Sequence, residues 1–161
     1  MTDLLIVYHS RTGGSKQMAE AAFNAAASEA EVKLLRASET RAEDLISAKA
    51  YLFVAPENLA ALSGEMKEFF DRNYYAVLGK IEGRAYAQMV CAGSDGEGAA
   101  RQIARIAKGW RLKEVQSPII ICTHAQTPEA IQAAKQISQE DLAKCRELGQ
   151  ALAAGVAMGA F

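Results

Sequence analysis

The sequence predicts an α/β fold, a parallel β-sheet with helices on both faces. Three observations along the 161 residues predict it: short continuous apolar runs, segments with apolar residues at three- and four-residue steps between them, and loops rich in glycine, proline or serine at the junctions. Continuous apolar runs are typical of strands that are buried on both faces. Strands that alternate with helices need crossover connections, so they pair in parallel.

The first half of the predicted sheet begins with a strand at Leu4–Tyr8. A loop from His9 to Gly14 follows, and Ser15 is predicted to cap the first helix. The apolar face of that helix is Met18, Ala19, Ala22, Phe23 and Ala26. A second strand is predicted at Val32–Leu35 and a second helix at Glu39–Ala48, so the order is βαβα.

The third strand is predicted at Ala50–Ala55, where Pro56 ends it, and Ser63 is predicted to cap the helix that follows. The fourth strand is predicted at Ala85–Cys91. After a glycine-rich loop, Gly93–Gly98, comes a helix at 99–108 that Gly109 is predicted to close.

The fifth strand is predicted at Pro118–Cys122, with Leu112–Val115 as an extension that pairs before it. Thr127 followed by Pro128 predicts the start of a short helix that ends near residue 136. Ser138, with Asp141 three residues on, predicts the start of the last helix. Ligands of such sheets bind at the carboxyl ends of the strands, so we expect function in the loops after the first, third and fourth strands.

Composition and charge exclude several classes of protein. Residues 1–161 provide enough apolar material for one domain, and 18 lysines and arginines against 19 acidic residues provide no field that would hold nucleic acid or a membrane surface. Cys91, Cys122 and Cys145 have no C-x-x-C spacing and are interpreted as free, buried thiols. No export signal or metal-binding pattern is recognised, so we expect a cytoplasmic protein without a metal site.

The loop after the first strand has the composition of a phosphate site. Its residues are Ser10, Arg11, Thr12, Gly13, Gly14 and Ser15. Small residues let backbone N–H groups turn inward, hydroxyls add donors, and a helix start adds partial positive charge. A phosphate monoester is therefore expected to be held mainly by neutral dipoles. A tight turn without a ligand is the alternative.

Other phosphate-binding classes do not fit the same residues. The chain has no G-x-x-x-x-G-K-[ST] motif and no G-x-G-x-x-G motif after the first strand. A response-regulator receiver domain would need an acidic cluster where His9, Ser10 and Arg11 stand. A cysteine phosphatase would need an arginine in the loop that Cys91 opens, and that loop carries Asp95 and Glu97.

Three segments in order resemble the flavodoxin-like superfamily, in particular the short NAD(P)H-dependent flavin or quinone reductases and their flavodoxin relatives. These are Tyr8–Ser15, similar to the family's phosphate loop, Ser63–Arg72, similar to its third helix, and Ala92–Gly98, similar to its third flavin-contacting loop. The resemblance covers nearly the whole chain. It implies a flavodoxin-like three-layer sandwich with a five-stranded parallel sheet in the order 2-1-3-4-5, and FMN as the cofactor.

The resemblance also implies which residues bind the cofactor. Residues 10–15 would hold the flavin phosphate. The isoalloxazine ring would be bordered by the second loop, with Pro56, Glu57, Asn58 and Leu59, and by the third, with Gly93, Ser94, Asp95 and Gly96. No catalytic residue is assigned.

The second loop departs from the family pattern, which commonly places an aromatic residue and a glycine after the proline. Here Glu57 follows Pro56, and beside the ring its charge is expected to disfavour a reduced, anionic flavin, whereas Asn58 is expected to hydrogen-bond the ring edge. Asp95 and Glu97 are interpreted as solvent-exposed loop acids, with Glu97 stabilising the helix start.

The function that the resemblance implies is an FMN-binding oxidoreductase for NAD(P)H-dependent reduction of a quinone or a flavin. NAD(P)H and a small-molecule acceptor would be its partners, and homodimer formation is compatible with this type. Two alternatives stay open. One is an electron carrier of the flavodoxin type, and the other is a non-enzymatic member of the fold that has lost its flavin.

Overall fold

A computed structural model describes all 161 residues as a parallel sheet between two helical layers. The strands are β1 (Thr2–Tyr8), β2 (Val32–Arg36), β3 (Ala48–Asn58), β4 (Ala61–Leu62), β5 (Ala85–Ala92), β6 (Lys113–Glu114) and β7 (Ile119–Cys122). The helices are α1 (Gly14–Ala26), α2 (Ala42–Ser47), α3 (Gly64–Val77), α4 (Glu97–Gly109), α5 (Pro128–Gln132) and α6 (Gln139–Ala157), and a 3₁₀ turn spans Ala37–Glu39.

The strand order confirms the predicted fold class. The sheet runs β2-β1-β3-β5, and its last position is shared by β6, which pairs with the start of β5, and β7, which pairs with its end. These two pieces are the predicted extension and the predicted fifth strand. Pro118 lies in the break between them, where it has no ladder hydrogen bond to donate.

Each face of the sheet has its own apolar core. On one face β1, β3 and β5 pack against α1 and α6. On the other face α2, α3 and α4 enclose an aromatic cluster, in which the Phe70 ring lies 5.0 Å from Phe53 and 5.3 Å from Trp110. Edge-on aromatic contacts of this kind add to the stabilisation that comes from burying apolar area.

Several predicted boundaries are wrong. The second helix, predicted at Glu39–Ala48, spans Ala42–Ser47, and the helix predicted to end near residue 136 ends at Gln132.

The third strand does not end at Pro56, since the chain continues to Asn58 and turns back to pair with β4. Gly109 is the last residue of α4, but it does not take the left-handed conformation of a capping glycine. Trp110, which is buried in the aromatic cluster, is the C-cap, and Arg111 takes the left-handed conformation at φ 60°.

None of the helices combines the length and the apolar character that crossing a bilayer requires.

Candidate flavin site

A cleft opens where the carboxyl ends of β1, β3 and β5 meet, at the edge the sequence predicts. It has two adjoining compartments, of 480 and 460 Å³. Both are lined by Arg11, Thr12, Pro56, Asn58, Cys91 and Ile131. The first compartment extends to the start of α1, which we call the phosphate end, and the second lies between the loops after β3 and β5, which we call the ring end.

The backbone of the phosphate end is fixed by its glycines. Gly13 has φ 97° and occupies the N-cap of α1, and its N–H donates to Ser10 Oγ at 3.0 Å. A Cβ on Gly14 would lie 2.6 Å from Cys91 Sγ, closer than two such atoms approach. The first turn of α1 packs so closely on β5 that any larger residue here would force Cys91 or the helix to move.

Ser15 does not cap α1, contrary to the prediction, because Gly13 holds that position and Ser15 lies inside the first turn. Its side chain is 1% exposed, lines the first compartment, and its Oγ has no hydrogen-bond partner. The first N–H groups of a helix also lack partners within the helix. A buried hydroxyl and free N–H groups at a helix start match the acceptor oxygens of a phosphate.

Cys91 forms part of the wall shared by the two compartments. Burial raises the pKa of its thiol to about 11. At neutral pH the group is therefore an uncharged thiol, which can pack beside an anion without repelling it.

The ring end is built by the hairpin of β3 and β4. Glu57 pairs with Leu62 and Asn58 with Ala61, so the turn consists of Leu59 and Ala60, with φ 52° and 63°. Two successive residues at positive φ are typical of a type I′ turn, which usually takes asparagine and glycine. The Leu59 side chain projects into solvent, with an exposed fraction of 101%.

The carboxylate of Glu57 is bound to the N-terminus of α4. Its Oε1 accepts the N–H of Gly96 at 2.8 Å, and its Oε2 accepts the N–H of Ala99 at 3.0 Å. Glu57 lines the second compartment, but its charge is compensated by two N–H donors and by the helix dipole. From the sequence we expected an unpaired Glu57 to repel a reduced flavin. The structure corrects this expectation, because the carboxylate is paired at the start of α4, a contact that the sequence does not reveal.

The third loop is divided between the cleft and the helix. Gly93 and Ser94 line the second compartment, whereas Asp95 and Gly96 do not. Asp95 Oδ1 accepts the N–H of Glu97 at 3.2 Å, and Gly96 donates to Glu57. In the structure these two residues shape the start of α4, where Gly96 adopts φ 90°, and their contact with the ring stays a prediction.

The connection from β7 to α6 also lines the cleft, which sequence reasoning did not anticipate. We call residues 125–137 the strap. Lys135 N–H donates to Thr12 O at 2.8 Å, and Gln17 holds the same segment by donating to Lys135 O and accepting from Ile137 N–H. The strap places Ile131 in both compartments and Gln132 in the first.

A topological signal could have found the strap. The helix α6 packs beside α1, whereas β7 lies at the far edge of the sheet. The connection between them must cross the carboxyl ends of the intervening strands and pass the start of α1. The loop after the fifth strand therefore belongs with the other three.

His9 is held beside the phosphate loop by two residues of the α3 start. Its Nδ1 lies 2.9 Å from Ser63 Oγ and its Nε2 lies 3.1 Å from Glu65 Oε2. A neutral ring with its proton on Nε2 accepts from Ser63 and donates to Glu65. Burial lowers the pKa of His9 more than Glu65 raises it. Ser63 stands at the N-cap of α3 as predicted, but its hydroxyl serves His9 and not the helix.

Comparison with solved structures defines the class of protein first. The fold matches an archaeal flavodoxin with a TM-score of 0.78 and 22% identity, over 96% of this chain and 99% of that one. It matches a WrbA-like flavodoxin from Agrobacterium tumefaciens with a TM-score of 0.69 and 19% identity, over 99% of each chain. The fold is therefore flavodoxin-like.

The family follows from sequence. A flavodoxin of Aquifex aeolicus (strain VF5) is 30% identical over 168 residues, which cover 98% of this chain and 89% of that protein. The chain belongs to the flavodoxin family. No protein-family model matches the sequence. FMN is the cofactor of flavodoxins, so the cofactor prediction is confirmed at the level of the family, and the unpartnered Ser15 hydroxyl in a glycine-lined cradle fits its phosphate.

Proposed function

We propose that this protein is an FMN-dependent electron carrier of the flavodoxin type. The observation that carries the proposal is the shape of the cleft, which joins an anion-binding helix start to an open compartment between two loops. FMN has a phosphate at one end and a redox-active ring at the other. When bound, it would supply the electron-transfer chemistry.

The residues of the chain would position the cofactor. Ser10, Thr12 and Ser15, together with the N–H groups of residues 14 and 15, would hold the phosphate, and Arg11 would add a charge at the rim. Hydrogen bonds from a preformed cradle cost little ordering on binding. The cradle is preformed because the strap and the Gly13–Ser10 hydrogen bond fix its backbone.

The ring would lie between aliphatic side chains. The second compartment has no aromatic residue in its lining, and Leu59 from the hairpin and Ile131 from the strap both border it. These two side chains are exposed to 101% and 53%. Burying them against a flat ring would stabilise the complex through apolar area, in place of aromatic stacking.

A second candidate is the NAD(P)H-dependent reductase of quinones or flavins. The observation that favours it is the near-neutral formal net charge of −1, since carriers usually present a strongly acidic docking face. We propose for either function a single domain over residues 1–161, a cytoplasmic location in keeping with three free cysteines, and a homodimer only for the reductase.

The test is a titration with FMN followed by an electron-transfer assay. Quenching of FMN fluorescence and a shift of its visible absorbance are expected on binding. A carrier on its own should not oxidise NADPH. Once a ferredoxin–NADP⁺ reductase is added, it should pass electrons from NADPH to cytochrome c. Direct oxidation of NADPH or NADH with a quinone would favour the second candidate. A protein that binds no FMN would exclude both and leave the non-enzymatic alternative.

A further inference from the structure

We propose that Lys135, on the strap, is a binding residue for the phosphate of the flavin and pairs its positive charge with that group. The proposal rests on the proposed FMN site and adds a full charge to a cradle that the sequence predicts to consist mainly of neutral dipoles. Lys135 lies outside the three loops in which site residues were expected.

The first argument is position. Lys135 itself lines the second compartment, and its Nζ reaches toward the first, where it lies 3.3 Å from Oγ1 of Thr12, a residue that lines both compartments. The Lys135 backbone is fixed by its N–H bond to Thr12 O and by the side chain of Gln17. Its Cβ would lie 3.7 Å from a Cβ on Gly14. The ammonium group is therefore held against the turn at the start of α1, and this turn contributes backbone N–H groups to the proposed phosphate site.

The second argument is the missing counter-charge. Besides Thr12, Lys135 Nζ donates to Ile131 O at 2.8 Å and to Ala133 O at 2.6 Å, all neutral oxygens. Lys135 forms no ion pair with a carboxylate. Lys80, Lys108 and Lys113 also form none, but they are exposed, whereas Lys135 is half-buried. A half-buried ammonium without an anion gains most when an anion binds beside it.

The third argument is that the ligand end of the cradle has matching donors. The Ser15 hydroxyl is buried without a partner, and the helix start offers free N–H groups. Arg11 lines both compartments and also forms no ion pair. A phosphate dianion at the start of α1 would contact neutral donors from the helix and lie near the charges of Arg11 and Lys135.

A structural role for Lys135 makes a different prediction. Its bonds to Ile131 O and Ala133 O also close the end of α5. If this were its only role, removing the Lys135 side chain would loosen the strap and weaken the binding of every flavin alike. FMN and riboflavin differ only in the phosphate, so their affinity ratio separates the two roles.

The experiment measures Kd for FMN and for riboflavin by fluorescence quenching in wild type, Lys135→Gln, Lys135→Arg and the control Lys80→Gln. Lys80 is exposed and its side chain has no partner, so the control matches the change in net charge. For Lys135→Gln we expect an FMN Kd about tenfold higher, the size of one charge-assisted hydrogen bond, and an unchanged riboflavin Kd. Lys135→Arg should recover most of the loss.

Salt gives a second readout. The Kd of the wild type for FMN should rise with NaCl concentration. The Kd of Lys135→Gln should rise less, because salt screens a charge that the variant lacks. If Lys135→Gln lost the same affinity for FMN and riboflavin, or lost none for either, the proposal would be overturned while the FMN site stands. A wild type that binds neither flavin would instead overturn the proposed function, and this inference with it.

Discussion

Both ends of the cleft contain a tight turn with positive φ angles, but the residues that adopt those angles differ. At the phosphate end the positive φ falls on Gly13, and small residues leave space for the ligand. At the ring end the two positive φ angles fall on Leu59 and Ala60, which adopt them at a cost. The phosphate end is thus relaxed and closely packed, and the ring end is strained and exposed. Strain in a turn beside a site often accompanies a role there.

The largest effect should come from Gly14→Ala, which tests how closely the phosphate end is packed. A Cβ 2.6 Å from Cys91 Sγ would push α1 off β5 and lower the free energy of unfolding by about 1–3 kcal/mol, measured by urea denaturation.

Gly64→Ala is the matched control, because Gly64 is the first residue of α3 and a Cβ there meets nothing within 4 Å. It should raise stability by about 0.5 kcal/mol. Similar effects of the two substitutions would contradict the packing difference.

Glu57→Gln should have the next largest effect, and it tests whether the hairpin of the ring end depends on α4. The amide keeps one acceptor, so one N–H of Gly96 or Ala99 loses its partner and the dipole loses its counter-charge. We expect a loss of about 1–2 kcal/mol in urea denaturation.

Glu82→Gln removes the same charge at an exposed side chain with no hydrogen bond and should leave stability within about 0.5 kcal/mol of wild type. If Glu57→Gln were as mild as this control, the helix cap would contribute nothing measurable.

Ala60→Gly should sharpen the contrast by relaxing the ring end. Glycine adopts φ 63° without a Cβ penalty, so we expect a gain of about 1 kcal/mol in thermal or urea unfolding. The neighbouring Ala61→Gly lies in β4 and should lose about 0.5–1 kcal/mol, because glycine weakens a strand. A loss for both variants would show that the turn is not strained.

The smallest expected effect concerns His9, which links the phosphate loop to α3. Its pKa in the folded protein lies below the ordinary value of 6.5, mainly through burial, so the unfolded chain binds the proton more readily. The stabilisation is therefore complete above pH 6.5 and is lost as the pH falls through the folded pKa. Urea midpoints at pH 7.5 and 5.5 should differ less in His9→Gln than in wild type. Parallel shifts in the two proteins would assign the pH dependence to other groups.

The fold and the phosphate end were largely readable from the sequence, and the ring end was not. Apolar runs and helix periods are local, and so is the Ser10–Ser15 segment, whose glycines and hydroxyls lie within one turn. The partner of Glu57 is 39 residues away at Gly96, and that of Lys135 is 123 residues away at Thr12. No local pattern records such contacts. They follow from where α4 and α6 pack, which only the three-dimensional structure provides.

The strap ties cofactor binding to the order in which the chain is made. Gln17 holds Lys135 and Ile137 across separations of 118 and 120 residues. During synthesis the phosphate loop at residues 10–15 leaves the ribosome well before residues 125–137, so the cradle lacks the strap until that segment has emerged. Acquisition of flavin by nascent chains of increasing length would therefore report the moment at which the strap first reaches the phosphate loop.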